Sequence, residues 1–341
     1  MTLKFAIAGA GYIAAIHAEA LQRQKSAELV AVVEKFPEKR KTFARKFGIQ
    51  NEYETVADLL KDGGVDALII GTPNALHAPQ AIAALLGGVH VMVEKPMAVT
   101  VREAEKMIAA GQKSGASLMV AHCWRFDKEV RWLKFQAGKL GQIIRTKGYG
   151  VHVQWGPEGW FTQKKLAGGG ALADMGIHAL DTARFLLGDP RPISVYARLG
   201  TYYRNFDVDD TGVVLVNWEG GACSYIESGW WQPHADGPEA ATQLYGLQGF
   251  GQLFPTCLQL GKKTVDPGFP FPRPEHGLQS MYDDQVAYFV KCIRSGSTPI
   301  PGGAEGLVNM QVIDAAYQSA RTGKAVFIHA KPSNREQAIK E

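Results

Sequence analysis

Short apolar runs alternate with amphipathic stretches down the first third of the chain. Leu3 to Ala8, Leu29 to Val33, Val65 to Gly71, Val89 to Val93 and Leu118 to Ala121 read as buried strands, with few polar breaks. Between them Ile13 to Gln24, Pro37 to Phe47, Val56 to Lys61, Ala78 to Leu86 and Thr100 to Gln112 read as helices. The last of these opens on Thr100 and Glu103 at capping-box spacing. Strands and helices in alternation predict a parallel sheet with helices on both faces.

After residue 125 the period changes. Lys128 to Ala137 reads as a connecting helix. Runs that alternate by two follow it: Ile143 to Val153, Ile193 to Leu199, Thr211 to Trp218, Ala222 to Ser228 and Thr242 to Gly246. Such runs in series, separated by Gly, Pro and Asp turns, predict an antiparallel sheet. Helical patterns at Ala171 to Leu187, Tyr282 to Arg294 and Gly303 to Thr322 place helices on one face. The other face, rich in Trp, Tyr and Val, points to subunit contact. The expected organisation is an α/β doubly wound parallel sheet over residues 1–122. An α+β domain with a large, mostly antiparallel open sheet follows over 123–341, its end free to pack back on the first domain.

Composition leaves this picture intact. At 341 residues the chain is long enough for two domains. It is 46% hydrophobic and 21% charged, with 37 basic and 33 acidic residues interspersed to a net charge of +4. That balance gives no footprint for nucleic acid or an anionic membrane. The start, MTLKFAIAGAG, lacks the basic flank and apolar core of a signal peptide, and no apolar run approaches a membrane span. Cys123, Cys223, Cys257 and Cys292 are scattered without metal-binding or disulfide spacing, so no metal is expected and the cytoplasm is the expected compartment.

The chemistry collects at strand ends. Gly9-Ala10-Gly11-Tyr12-Ile13-Ala14 follows the first strand and opens a helix, the context a dinucleotide fingerprint requires. Gly9 makes the turn, Gly11 admits the pyrophosphate, and the helix start, with Tyr12 and Ile13, offers N–H groups to the phosphates. Glu34, ending the second strand, is placed to take the adenosine ribose hydroxyls and favours NAD, while Lys35 beside it leaves NADP open. Thr72, Pro73, Asn74 and His77, and then Glu94, Lys95 and Pro96, end two further strands on the same rim, as cofactor contacts or as solvated turns. On the Ala171 to Leu187 helix, Asp174 and His178 lie four apart, so a carboxylate can hold the imidazole in one tautomer, as a general base needs. Gly168-Gly169-Gly170 before that helix leave room for a ligand. A helix-surface pair is the plain alternative.

Together GAGYIA, TPNALH, VEKP and GGGALADMGIHALD resemble the signature series of the glucose–fructose oxidoreductase/inositol dehydrogenase (Gfo/Idh/MocA) family, from Lys4 to about Phe327. The resemblance implies an NAD(P)-dependent oxidoreductase acting on a sugar, sugar derivative or cyclitol, as a homo-oligomer (dimer or tetramer). It assigns His178 as the base, Lys95 as the group that orients the substrate hydroxyl, and Asp174 as the residue that positions the histidine. Arg125, with His122 and Trp124 nearby, corresponds to a pocket element. Trp155, Trp160, Lys164, Lys165 and the Gly229 to Ala240 segment supply further candidates for the substrate wall, ordinary packing being an equal alternative for each tryptophan. Two other functions stay open on the same fold. One is a glycosidase or lyase that oxidises transiently with no net NADH, using His122, Tyr149 or His152 as an extra base. The other is a redox-inert NAD-sensing binder.

Overall fold

In the computed structural model of the chain, which describes residues 2–235, 237–272 and 278–329, the first sheet is built from β1 (Leu3–Ala8), β2 (Ala27–Val33), β3 (Asn51–Tyr53), β4 (Ala67–Ile70), β5 (His90–Glu94) and β6 (Leu118–Ala121). The helices between them are α1 (Tyr12–Gln22), α2 (Pro37–Phe47), α3 (Val56–Asp62), α4 (His77–Leu86) and α5 (Val101–Ser114). Strand β3 escapes the hydrophobic pattern because it is three residues of Asn, Glu and Tyr. Every pair is parallel, in the order β3-β2-β1-β4-β5-β6. The order reverses between β1 and β4, and a ligand crevice opens at the carboxyl ends of strands at such a point. Gly9 and Gly71 follow these two strands directly. Gly9 has φ +99°, and a Cβ on it would lie 2.6 Å from the Gly71 carbonyl oxygen, so the two loops meet only because the side chain is missing.

The second sheet begins after α6 (Lys128–Gln136). Its elements are β7 (Ile143–Val153), α7 (Lys164–Ala167), a π-helical turn over Leu172–Gly176, α8 (Ile177–Leu187), β8 (Pro192–Gly200), β9 (Thr211–Trp218), β10 (Cys223–Gln232), β11 (Ala240–Gly246), β12 (Gly249–Leu253), β13 (Cys257–Leu260) and β14 (Lys263–Val265). Helices α9 (Gln279–Ser295) and α10 (Gly303–Thr322) and the short β15 (Val326–Phe327) follow. The strand order is β14-β13-β12-β11-β7-β10-β9-β8-β15. The pairs are antiparallel except β7 with β10, which run parallel at the centre and end together at the cleft. Asp236, within the Gly229 to Ala240 segment, and residues 330–341 lie outside the described residues.

One close contact sets the distance between helix and sheet at the cleft. A Cβ on Gly150 would stand 2.6 Å from the Met175 carbonyl oxygen, so β7 presses against the π-helical turn. Positions 148, 150 and 152 share that strand face, which carries His152 up beside the turn. The chain then returns to the first sheet. Phe289 of α9 packs edge-on against Phe5 of β1 at 6.2 Å, and Val120 of β6 donates its N–H to the Pro301 carbonyl.

Candidate active site

Strand β5 ends in Glu94, and Lys95 follows with its ammonium turned toward the second sheet. Lys95 Nζ donates to Asp174 Oδ1 at 2.8 Å and to the Asp174 carbonyl at 3.0 Å. The other Asp174 oxygen accepts Trp230 Nε1 at 3.1 Å, from the end of β10. Burial lowers the pKa of the lysine, but the charge and hydrogen bond of Asp174 outweigh it and hold the ammonium above its ordinary value. Burial likewise opposes the Asp174 carboxylate, and Lys95 outweighs it, so the carboxyl sits below its ordinary value. The pair is fully charged at neutral pH.

This arrangement corrects one expectation. Asp174 spends both oxygens on Lys95 and Trp230, and no hydrogen bond joins it to His178 among the described residues. The long-range cation wins over the neighbour one turn away because a buried carboxylate gains more from a full charge than from a neutral imidazole. His178, buried at the start of α8, has no hydrogen bond to either ring nitrogen among the described residues. Its ring instead stacks on Trp124, centroids 5.0 Å apart and planes at 19°. Burial and then the Lys95 charge push its pKa well below the usual histidine value, so the imidazole is neutral and can accept a proton.

The dinucleotide cradle fits the group its sequence implies. Gly11 caps α1 with extended backbone and no side chain bonded to the first turn, and no acidic residue sits in that turn. A Cβ on Gly11 would meet nothing within 4 Å, which is open space where a pyrophosphate would approach the N–H groups. Tyr12 is 83% exposed beside it, and Ile13 underlies Gly71. Glu34 accepts N–H groups from Ala10 at 3.1 Å and Phe36 at 3.0 Å, which fixes its carboxylate at the edge of the glycine loop. Pro73 flanks the same rim, and Thr72 Oγ1 donates to Gln80.

Other expected contacts lie beneath the rim. His77 is 1% exposed and bridges the Pro96 and Thr72 carbonyls, tying the loop after β4 to the Lys95 turn. Asn74 donates to the Ala167 carbonyl and so joins the two halves of the chain. Glu94 is buried between His17 Nε2 at 2.7 Å and the Lys95 N–H. Arg125, expected in the substrate wall, is buried instead and grips Asp181 at 2.8 Å through two nitrogens and Asp189 at 2.7 and 3.1 Å. His122 faces Asn309 in the same network. Arg125 turns away from the cleft toward these two carboxylates, whereas His122 stays within electrostatic reach of Lys95 and His178. The glycine run is also closely packed against protein. A Cβ would meet Val99 from Gly168, the Tyr317 hydroxyl from Gly169 at 2.2 Å, and the Asp209 carbonyl from Gly170 at 1.8 Å. The missing side chains let the chain pack on itself, and Gly168 and Gly169 also border a cavity of about 370 Å³ shared with Val99, Lys164 and Tyr317.

Trp155 is 46% exposed at the rim and stacks on His152 at 3.6 Å, with Glu239 accepting from its Nε1 at 2.7 Å. Lys164 is exposed at the start of α7, where its N–H bonds Asp207. Trp230 and Glu239 fall within the Gly229 to Ala240 segment that the sequence offers for the substrate wall, whereas His17 lies outside every candidate stretch; a histidine on the apolar face of α1 is the signal that marks it. Among the described residues no cluster of His, Cys, Asp and Glu could hold a metal ion, and no helix is long and apolar enough to cross a membrane.

Residues 3–122 match the GFO/IDH/MocA oxidoreductase family, NAD-binding Rossmann fold, and residues 134–250 match the GFO/IDH/MocA C-terminal domain. Scyllo-inositol 2-dehydrogenase (NAD(+)) of Bacillus subtilis (strain 168) is 27% identical over 96% of this chain and 97% of its own. D-glucoside 3-dehydrogenase of Escherichia coli (strain K12) is 28% identical over 95% and 97%. Among solved structures, an aldose-aldose oxidoreductase from Caulobacter crescentus complexed with glycerol superimposes with a TM-score of 0.84 at 31% identity, covering 96% of this chain and 100% of the other.

Proposed function

The chain belongs to the GFO/IDH/MocA oxidoreductase family, and from that premise we propose that Lys95, Asp174 and His178 are where it exchanges a hydride between NAD and a secondary alcohol of a sugar, sugar derivative or cyclitol. The observation that carries this reading is a charged ammonium held by Asp174, within electrostatic reach of a neutral, unbonded imidazole, at the carboxyl end of a strand of the first sheet. When bound, the nicotinamide supplies the hydride acceptor or donor. Lys95 donates to the substrate oxygen and stabilises negative charge developing on it, and His178 accepts the hydroxyl proton. Asp174 keeps Lys95 charged and aimed. The stacked Trp155 and His152 would meet the rest of the ring as an apolar plane with a few polar groups, while Lys164 borders a cavity with Val99 and Tyr317. The test is formation of reduced nicotinamide from a panel of sugars and cyclitols.

The Glu34 carboxylate, anchored at the glycine loop, favours NAD over NADP on this reading. Removing a charge-assisted hydrogen bond costs about 1.5–3 kcal/mol, so Glu34→Ala should weaken NAD binding about ten- to a hundredfold while NADP is weakened less. Calorimetric titration with both cofactors checks this, and an unchanged preference would remove Glu34 from that role.

A homo-oligomer is the assembly this reading favours, through the sheet face opposite α8 and α10. Tyr196, Leu215, Tyr225, Lys147 and Gln243 form one register row across that face, with Tyr196 and Leu215 each 38% exposed. Leu215→Glu is expected to shift sedimentation from dimer or tetramer toward smaller species. A wild-type protein that sediments as a monomer at micromolar concentration would contradict it. The four cysteines are unpaired thiols, which suits a reducing cytoplasm, and recovery in a membrane or secreted fraction would count against that compartment.

One observation favours a second reading. His152, backed by Glu239 at 3.4 Å, stands beside the Asp174 turn as a further acid–base pair. It fits glycoside cleavage through transient oxidation, which would release product without net NADH. Product analysis on glycosides in the same screen separates the two.

A further inference from the structure

The base in this reading has no hydrogen bond to hold its ring. Asp174 is committed elsewhere, so the orientation of His178 must come from packing. We propose that Trp124 and the Arg125–Asp181 ion pair are positioning residues that fix the His178 ring, the consecutive residues 124 and 125 acting as one clamp on α8. The proposal rests on His178 being the proton acceptor.

Three observations carry it. Trp124 lies nearly parallel to the His178 ring at 5.0 Å and is braced edge-on by Phe254 at 6.2 Å, so it covers one imidazole face and leaves the ring edge to substrate. Arg125, the next residue, reaches the same helix three positions on, with Nε and Nη2 each 2.8 Å from an oxygen of Asp181. Residues three apart share a helix face, so Asp181 reports the rotation of the turn that carries His178. Asn309 of α10 donates to the same Asp181 oxygen at 2.8 Å and meets His122 Nε2 at 3.1 Å. The clamp is therefore anchored on three elements: the loop after β6, α8 and α10.

Stability does not account for this pair. Replacing a buried ion pair by apolar residues of similar volume is often neutral or stabilising. A bidentate guanidinium, in contrast, fixes distance and angle more narrowly than apolar packing does. Rates are sensitive to misplacement of about 1 Å, which can cost about a hundredfold.

The test uses three variants of the full chain with NAD bound: Trp124→Ala, Trp124→Phe and the double Arg125→Met/Asp181→Leu. Two readouts are taken, kcat against KM on a turned-over sugar and the titration of the His178 imidazole by NMR. The charged and titratable groups around that ring are Lys95, Asp174, His122 and Asp181. Trp124→Ala should lower kcat about ten- to a hundredfold, with KM for NAD little changed, and should raise the imidazole pKa toward the ordinary value as water reaches the ring. Trp124→Phe should restore most of both. The double variant also takes Arg125 from Asp189 and the Asp181 acceptor from Asn309, so its thermal midpoint should fall, and below that midpoint it should lose kcat to a similar degree. A double variant with wild-type kcat, or Trp124→Ala with an unmoved His178 titration, would overturn the clamp. A moved titration in a protein that oxidises none of the panel would leave the clamp standing and overturn the base assignment instead. Should the double variant not fold, the two Trp124 variants decide alone.

Discussion

Lys95→Met is expected to lower kcat for alcohol oxidation by about 10²–10³-fold, the range found when a donor to a developing oxyanion is removed. The loss should fall on kcat more than on substrate KM, because the ammonium matters most as negative charge grows on the substrate oxygen. A second effect follows from burial. Without Lys95 the Asp174 carboxylate keeps, among the described residues, the Trp230 donor alone, and breaking a buried pair from one side costs about 3–5 kcal/mol of stability. Its carboxyl pKa should rise with the loss of the cation, so the variant should lose less stability at acid pH, where Asp174 takes a proton. Lys95→Met/Asp174→Asn should recover much of the stability and none of the rate. Single-turnover kinetics and thermal unfolding of both variants check this. A double variant that recovers rate would show that Lys95 acts only as a structural counter-ion.

His178→Gln is expected to lower kcat by about 10²–10⁴-fold, the usual contribution of a positioned base. The pH profile makes the assignment specific. The neutral imidazole is the active form, present above the folded-state pKa. Burial and the Lys95 charge lower that pKa well below the ordinary value. The acid limb of kcat/KM in the native protein should therefore lie well below the pH at which an exposed histidine titrates, near 6.5. Activity is retained as pH falls from neutral and lost only as pH passes through the lowered pKa. In His178→Gln that limb should vanish. An acid limb at the ordinary histidine value, or one that survives the substitution, would assign the proton transfer to another group.

Local rules made most of the nucleotide-binding half legible. Strand, glycine loop and helix follow one another without a gap, and the apolar runs of β4 and β5 deliver TPNALH and EKP to one rim. What stayed hidden depends on distant partners. The spacing of Asp174 and His178 suggests a local pair, yet Lys95, 79 residues away, and Trp230, 56 residues away, take the carboxylate. Arg125 and Asp181 were both visible, but nothing local says that a residue after β6 turns back to a helix 56 residues on. The glycine run reads as space for a ligand, and only the fold shows that Tyr317 and Asp209 close in on it while a cavity remains beside Gly168 and Gly169. Strands β3, β13 and β14 are three or four residues long, too short for a period-two signal.

The central claim is hydride transfer at Lys95 and His178, and a nicotinamide screen tests it most directly. Purified protein with NAD+ or NADP+ meets aldoses, inositols, anhydrosugars, sugar acids and glycosides, with Lys95→Met and His178→Gln alongside and products analysed in every well. The account predicts reduced nicotinamide from at least one sugar or cyclitol, falling by about 10²-fold or more in each variant. Cleaved glycoside without reduced nicotinamide would move the protein to the transient-oxidation reading. Bound NAD with no reaction anywhere, or turnover that both variants retain, would contradict the account.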